Sequence, residues 1–315
     1  MTSEREEESY ESLSAQLAEL ANRPVGDRRG DRLRMRAVAW LERVTTWGPL
    51  GPVAEVGWQA LRRDASIGGT VLASALAYRI FIWLLPLALT IVLGLSLVAS
   101  TSDVSTSGLL ADAGITGYIA ASVASAAETT TGWARVTGLV VAALVLLYQS
   151  YALLRAVRAV NALAWRLPVR APHNPPRATL LFLGWIVGFA VAAASAAVLR
   201  AHLDLPLSLL AGLGTYTLLP FFYLALSWWL LPHRAEHWIS LVPGSMLVGV
   251  AMAAIGLFNS LVLFPWLARQ EETYGVLGVT AGLLFSFFLI GRTIEAAGSL
   301  NATMWEGRQR RTLAR

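Results

Sequence analysis

The sequence predicts an all-α, polytopic membrane protein in which six transmembrane helices form one bundle and both chain termini are cytoplasmic. Of its 315 residues, 56% are apolar and only 14% are charged. The mean hydropathy of +0.56 is too high for a soluble domain of this length. Six stretches each supply about 20 predominantly apolar residues, enough for a helix to cross roughly 30 Å of hydrocarbon.

The region before the first span is predicted to lie on the cytoplasmic side. Residues 1–30 are expected to form a mobile acidic tail, and residues 31–69 to form amphipathic helices. Trp40 and Trp47 recur with other apolar residues at helical spacing, whereas Arg36 and Arg43 fall mostly on the other side. Such helices can lie on the inner leaflet or dock on the cytoplasmic face of the protein itself, and the pattern does not decide between the two.

The transmembrane domain is predicted over residues 70–300. Its six spans lie at about 70–100, 136–157, 178–199, 207–231, 240–263 and 275–298. A further apolar stretch at 107–127 is rich in small residues and is predicted to lie on the outer surface of the bundle. Residues 301–315 are predicted to form a basic cytoplasmic tail.

Prolines and paired glycines interrupt some of these spans. Pro86 and Pro220 are helix-break positions in the first and fourth spans, which can frame a substrate path, although kinked packing is the more common role. The pairs Gly184–Gly188 and Gly278–Gly282 have the spacing that lets helices approach closely, either within one subunit or between two.

The placement of the arginines predicts the orientation. All 25 basic residues are arginine, and positively charged residues near span ends resist translocation. Loops 101–134 and 264–274 are mainly acidic and are predicted to lie outside. The cytoplasmic segments are predicted to be those that carry Arg62, Arg63, Arg158, Arg166, Arg170, Arg177, Arg308, Arg310, Arg311 and Arg315.

Ionic side chains inside the spans are the main candidates for a site. Arg79 lies in the first span, where an isolated charge costs at least roughly 2.5 to 3.5 kcal/mol at the bilayer centre. We predict that Arg79 pairs with Glu295 across the first and sixth spans. Arg292, three residues before Glu295, is the competing partner. Alternatively, Arg79 snorkels toward inner-leaflet phosphates.

Other polar residues are weaker candidates. Gln149, Tyr151, Asn259 and Asn301 could line a cavity, and interhelical hydrogen bonding is the simpler role for each. The stretch HRAEH at 233–237 matches an inverted zinc-protease pattern. It lies in a short loop without an obvious third ligand, so we predict a basic loop at the lipid headgroups, with no metal site and no cofactor.

Four motifs in order resemble the YihY/BrkB family of bacterial inner-membrane proteins. They are ALAY at 75–78 followed by Pro86–Leu87; Val160–Asn161–Ala162 with Trp165; LLPHRAEHWISLVPGSMLVGV at 230–250; and YGVLGV at 274–279 with SLNATMWE at 299–306. The resemblance extends over residues 55–306. With an arginine directly after the tyrosine of ALAY, the chain is similar to members of the YhjD-like actinobacterial branch of this family.

The resemblance implies a six-helix envelope protein of poorly defined activity. Its members are linked to envelope integrity, serum resistance and transport of lipid or lipopolysaccharide precursors. Ser299 stands where the family commonly has a glutamate. A role that depends on that carboxylate is therefore in doubt unless Glu295, one helical turn earlier, substitutes for it.

Two function classes follow from these observations. The first is an envelope-integrity protein of the bacterial inner membrane that transports or flips a lipid or envelope precursor through a polar interhelical cleft, with Arg79 and Arg292 meeting an anionic headgroup. The second is a non-transporting scaffold that recruits envelope-assembly partners. Expected partners are anionic inner-leaflet lipids, with a homo-oligomer or envelope proteins left open and nucleic acid excluded. We predict no enzymatic activity and reject a ribonuclease, because the cytoplasmic loops lack clustered carboxylates or histidines.

Overall fold

The structure is a computed structural model that describes residues 51–101, 132–201, 218–263, 265–266 and 271–313. Within these ranges it contains seven α-helices and no strand, which confirms the all-α fold class. The helices are α1 Gly51–Ile67, α2 Gly69–Thr101, α3 Gly132–Ala164, α4 Pro175–Ala201, α5 Leu218–Trp229, α6 Val242–Phe258 and α7 Glu271–Leu313. A 3-10 turn, Trp238–Leu241, leads into α6, and a π-helical turn, Asn259–Leu263, follows it.

The chain divides into two compact units, Met1–Gln59 and Ala60–Arg315. In the first unit the structure describes residues 51–59, which begin α1 and in which Gln59 donates a hydrogen bond to Glu55 at 3.0 Å. The predicted acidic tail and the amphipathic helix before residue 51 lie outside the described residues. So do the 107–127 stretch and residues 207–217 of the fourth predicted span.

In the part of the chain that the structure describes, four helical segments are long and apolar enough to cross a membrane. They are Gly69–Gly94, Trp133–Ala164, Trp238–Leu263 and Thr280–Thr312, and they coincide with the first, second, fifth and sixth predicted spans. Helix α4 runs through the third predicted span, and α5 is a shorter apolar helix in the fourth. This arrangement is compatible with a multi-pass membrane protein.

The outward faces of the long helices are apolar. Exposed side chains include Leu85 and Leu89 on α2, and Val140, Val141 and Leu144 on α3. Contiguous apolar surface on this scale would be unfavourable in water. A bilayer removes that cost because its acyl chains cover the same faces.

Helix α7 packs against α2, α3 and α6, while α3 also contacts α2 and α4. Glycines on α7 make two of these approaches possible. A Cβ atom at Gly291 would lie 2.6 Å from the carbonyl oxygen of Ala73, and one at Gly298 would lie 2.8 Å from Oδ1 of Asn161. By contrast, a Cβ atom at Gly184 or Gly188 would meet nothing within 4 Å. That pair therefore makes no close approach to another described helix of the same chain, and a contact between two subunits stays a prediction.

Helix α7 is longer than the sixth predicted span. Helix α7 continues through the predicted basic tail as far as Leu313. Helix α1 extends to Ile67, where Gly68 separates it from α2 with a φ of 71°. This left-handed conformation favours glycine, since a side chain there would clash with the backbone.

Candidate functional site

Buried and half-buried polar and charged side chains gather at one end of the Ala60–Arg315 unit. There α1 ends, α2 begins and α3 ends, and the middle of α7 passes between them. We call this set the polar layer. Its members are Arg63, Asp64, Asn161, Arg292, Glu295, Ser299, Asn301 and Glu306.

Three residues of the polar layer form a charged cluster. Arg292 donates to both carboxylate oxygens of Asp64, from Nη1 to Oδ1 at 2.5 Å and from Nη2 to Oδ2 at 2.9 Å. The same Nη1 donates to Oε2 of Glu295 at 3.1 Å. Ser299 donates to the other oxygen of Glu295 at 2.8 Å. One guanidinium therefore connects two carboxylates from different helices.

The members of the charged cluster differ in exposure. The side chain of Glu295 has 0% of its surface exposed and that of Asp64 has 12%, whereas that of Arg292 has 28%. Burial by itself would raise the pKa of Asp64, but hydrogen bonds that stabilise its ionised form, above all those from Arg292, outweigh burial and the pKa lies below its usual value. Asp64 is therefore ionised at neutral pH.

Gly69 makes room for the charged cluster. A Cβ atom at this position would lie 1.8 Å from Oδ1 of Asp64 and 2.9 Å from Nη1 of Arg292. No side chain fits there without displacing the ion pair. The glycine at the start of α2 is thus a condition for the ion pair between Asp64 and Arg292.

A second ion pair joins α1 to α7. Arg63 donates to Oε1 of Glu306 at 2.8 Å, and its Nε donates to the carbonyl oxygen of Ala164 at 2.5 Å. The Arg63 side chain is only 5% exposed. Adjacent residues of opposite charge on α1 therefore each find an opposite charge on α7, which fixes how the end of α1 lies on that helix.

Two asparagine amides connect other elements of the polar layer. Asn161, near the end of α3, donates to the carbonyl oxygen of Pro232 at 2.7 Å. Asn301 on α7 accepts the backbone N–H of Gly244 at 2.7 Å. Gly244 lies in the first turn of α6, whose N-cap residue supplies no side-chain hydrogen bond. Asn301 therefore satisfies a free N–H group of a helix other than its own.

Aromatic rings pack together near the ends of α3 and α7. Trp165 contacts Trp305 with ring centroids 5.8 Å apart and His233 with centroids 6.3 Å apart. The His233 ring stacks on Trp228 at 5.2 Å. Asn161, Trp165, Gly244 and Asn301, which all belong to the family-like motifs, thus lie in one region.

The predicted pair between Arg79 and Glu295 is wrong. Both oxygens of Glu295 are occupied by Arg292 and Ser299, and the competing pair of Arg292 with Glu295 is the one observed. Arg79 is exposed on α2 and forms no hydrogen bond or ion pair with the described residues. The prediction failed because Arg79 lies on the outward side of α2, whereas Asp64 lies close enough to share Arg292.

The other predicted polar residues have mixed positions. Asn259 accepts a hydrogen bond from Ser286 at 3.1 Å, so Asn259 and Asn301 both take the predicted role of hydrogen bonding between elements. Tyr151 lies beneath the guanidinium of Arg155, with 5.7 Å from Cζ to the ring centroid. Gln149 is half-buried and forms no hydrogen bond with the described residues.

Of the two prolines predicted as helix breaks, Pro86 lies within continuous helix, and Pro220 is the third described residue of α5. Pro86 is inside α2, and its carbonyl oxygen accepts the Thr90 hydroxyl at 2.7 Å. Pro220 lies in α5, and its Cγ would be 2.4 Å from a Cβ atom at Gly249. Pro220 therefore serves close helix packing.

Two grooves on the second unit are lined almost wholly by apolar side chains. One, of about 420 Å³, is lined by Trp185, Phe221, Phe222, Leu224, Ala225, Trp228, Trp229 and Trp238. The other, of about 350 Å³, is lined by Leu147, Tyr148, Tyr151, Pro175, Pro176, Thr179 and Leu180. Neither is lined by Arg79, Arg292 or Glu295, so both fit acyl chains better than headgroups.

Asp64 is the one member of the charged cluster that was not among the predicted site residues, and Arg63 and Glu306 of the neighbouring ion pair were not predicted either. Asp64 stands between two arginines and the Gly68–Gly69 turn, so the segment was interpreted only as a basic flank of the first span. The sequence feature that could have identified Asp64 is that it is an acidic residue in an arginine-rich segment, close to the start of a span. Among the described residues, no group of three or more His, Cys, Asp or Glu side chains is placed to hold a metal ion.

The chain matches no protein-family model, no curated protein and no solved structure.

Proposed function

We propose that this chain is a multi-pass protein of the bacterial inner membrane that moves an anionic amphiphile, a lipid or an envelope precursor, between leaflets. The observation that carries the proposal is Arg292, an arginine held inside an apolar bundle that still has 28% of its side chain exposed. Ionic groups within membrane helices are costly and commonly mark a substrate path. Guanidinium binds phosphate groups in a bidentate manner, which makes Arg292 the headgroup contact.

The YihY/BrkB resemblance is part of this proposal. Residues from separate motifs contact one another: Trp165 packs on Trp305, and Gly244 bonds to Asn301. These contacts support the motifs as parts of one structural unit. The arginine-rich end, where the polar layer lies, is proposed to face the cytoplasm, with six spans and both termini inside.

Arg79 takes a separate role in this proposal. Because it is exposed on α2, it extends toward inner-leaflet phosphates as a snorkelling arginine. The lipids of that leaflet are then the first partners of the protein. No residue is assigned a catalytic role, and neither a cofactor nor nucleic acid is involved.

A membrane scaffold is the second candidate function. It is favoured by the complete pairing of the charged cluster, in which Asp64 and Glu295 both bind Arg292. A closed cluster can fix helix packing without moving any ligand. The scaffold would present its surfaces to envelope-assembly partners or to a second copy of the chain.

Lipid movement in reconstituted vesicles tests the two candidates. The full chain is placed in phosphatidylglycerol-containing liposomes with a trace of fluorescent phosphatidylglycerol, and a membrane-impermeant reductant then quenches the outer leaflet. A transporter exposes inner-leaflet probe to quenching, and Arg292→Gln slows this process. Arg308→Ala, an exposed arginine on the same helix, is the matched control and retains the wild-type rate.

The scaffold predicts a different result. Wild-type vesicles would then quench no faster than protein-free vesicles, and both variants would behave like the wild type. That outcome would reject transport for this lipid class. Equal slowing by Arg292→Gln and Arg308→Ala would reject Arg292 as the headgroup contact.

A further inference from the structure

The geometry between Asp64 and Arg292 is that of an occupied anion site. The carboxylate receives two parallel hydrogen bonds, at 2.5 and 2.9 Å, from the two terminal nitrogens of Arg292. A guanidinium uses the same fork to bind two oxygens of a phosphate group. Because Asp64 fills the fork, a headgroup can reach it only by displacing this carboxylate.

We propose that Asp64 is an internal competitor for the headgroup site on Arg292, and that the ligand replacing it is a monoanionic phosphodiester. This inference rests on the proposed function for Arg292 as the headgroup contact. It adds a regulator, the carboxylate at the end of α1, and it names a chemical class of ligand.

The charge of the cluster supports the phosphodiester class. Arg292 also binds Glu295, which is fully buried. Exchange of one singly charged group for another leaves the charge beside Glu295 unchanged. A phosphomonoester carries about −1.5 to −2 at neutral pH, so it would add negative charge next to the fully buried Glu295 carboxyl, where charges are screened less than in bulk water.

The neighbouring ion pair allows Asp64 to leave without loss of α1. Arg63 remains bound to Glu306 at 2.8 Å and to the Ala164 carbonyl oxygen. The exchange therefore needs only a movement of the Asp64 side chain and its own turn. Gly69, which has no side chain, provides the room that the Asp64 carboxylate itself occupies, since Oδ1 lies 1.8 Å from where a Cβ atom would be.

Binding of short-chain lipids to the purified full chain tests the inference. The probes are dioctanoyl phosphatidylglycerol, a phosphodiester, and dioctanoyl phosphatidate, a monoester with the same acyl chains. Asp64→Asn removes the competing charge, and we expect it to bind phosphatidylglycerol about tenfold more tightly than the wild type, which corresponds to about 1.4 kcal/mol. In Arg292→Gln and in the double variant, this gain is absent.

The matched control is Glu236→Gln, which removes an exposed carboxylate outside the polar layer and leaves both Asp64 and the Arg63–Glu306 pair in place. We expect its affinity for phosphatidylglycerol to stay within about twofold of wild type, a difference of about 0.4 kcal/mol. Equal or weaker binding by Asp64→Asn would overturn the role of Asp64. A gain of the same size in Glu236→Gln would overturn it too, because the effect would then be general electrostatics.

The wild-type chain provides a test that does not depend on how the variants fold. It is expected to bind phosphatidylglycerol more tightly than phosphatidate, and the reverse order would exclude the phosphodiester class. The lipid-movement assay separates the two proposals. If Asp64→Asn binds more tightly but wild-type vesicles move no lipid, the role of Asp64 as a competitor is supported and the transport function is rejected. If lipid moves through Arg292 but Asp64→Asn does not change the affinity, the transport function is supported and the role of Asp64 is rejected.

Discussion

Asn301 stabilises the start of a helix to which it does not belong. Its Oδ1 accepts the N–H of Gly244 at 2.7 Å, and its side chain is buried. Asn301→Ala leaves this N–H group without a partner in a buried place. We expect a loss of about 1 kcal/mol in the free energy of unfolding, as for the removal of an N-cap side chain.

Thermal unfolding of the detergent-solubilised chain measures this loss. Arg308→Ala, on an exposed position of the same helix, should change the stability by less than about 0.5 kcal/mol. If the two variants unfold at the same temperature, Asn301 does not cap α6.

The ionisation of Asp64 sets a pH limit on the charged cluster. Its pKa is lowered from the ordinary value of 3.8, because hydrogen bonds that favour the ionised carboxyl, led by those from Arg292, outweigh the effect of burial. A lowered folded-state pKa means that the stabilisation is fully present above the ordinary value and is lost as pH falls through the lowered one. We therefore expect wild type to be more stable than Asp64→Asn at pH 7 and this difference to shrink at about pH 3.

The unfolding temperatures of wild type and Asp64→Asn, measured at pH 7 and at about pH 3, test this expectation. Glu306→Gln, compared in the same way, reports how much of any change comes from the neighbouring pair. A difference between wild type and Asp64→Asn that is as large at pH 3 as at pH 7 would show that the charge of Asp64 contributes nothing.

At this scale the sequence predicts local pairs better than distant ones. Arg292 and Glu295 are three residues apart on one helix, so helical geometry alone brings them together. Asp64 is 228 positions from Arg292, and their contact depends on how α1 turns at Gly68. The partner predicted for Arg79 failed for the same reason, since no local pattern states which side of α2 faces α7.

Among the helix contacts, the closest approach of α2 to Gly291 of α7 allows a direct test. A Cβ atom there would lie 2.6 Å from the backbone oxygen of Ala73, and backbone cannot rotate away as a side chain can. Gly291→Ala should therefore destabilise the bundle by about 1 to 3 kcal/mol, the usual cost of overpacking. The measurement is thermal unfolding in detergent.

Gly184→Ala is the matched control for this helix contact. A Cβ atom at Gly184 meets nothing within 4 Å, so alanine should leave the stability unchanged or raise it by up to about 1 kcal/mol through its helix propensity. The opposite ranking of the two variants would mean that α2 and α7 do not approach each other at Gly291.

Hydropathy predicts where helices can cross a membrane, and it does not predict where they end. The predicted sixth span stops near residue 298, yet α7 continues to Leu313. Its last part, SLNATMWEGRQRRTL, is too polar for hydrocarbon but contains good helix formers such as Ala, Met, Glu and Arg. The span ends because the charge rises, while the helix continues because nothing in that stretch breaks it.

For the whole molecule, composition is sufficient to predict the all-α fold class, but it does not predict how many helices cross the membrane. Four described segments can cross a membrane, and α4 and α5 cover or border the two further predicted spans. Hydropathy treats each stretch separately. Whether α4 and α5 cross or lie on one side depends on their packing with the rest of the bundle.

Cysteine labelling in intact cells distinguishes these arrangements, because the chain contains no cysteine of its own. Six spans place residues 200–206 outside, between the third and fourth spans. We expect Asp204→Cys to react with a membrane-impermeant maleimide in intact cells. Ser105→Cys should react as well, since loop 101–134 is outside in either arrangement, whereas Ala314→Cys should react only after permeabilisation.

Asp204 is informative because the arginines on both sides of the α4–α5 region favour the cytoplasm. If α4 and α5 do not cross, residue 204 stays on the arginine-rich side and Asp204→Cys is protected until the cells are opened. That result, with Ser105→Cys labelled and Ala314→Cys protected, would reduce the bundle to four spans. It would also place the aromatic groove of Trp185, Phe222 and Trp229 at the membrane surface, where it could not line a route between the two leaflets.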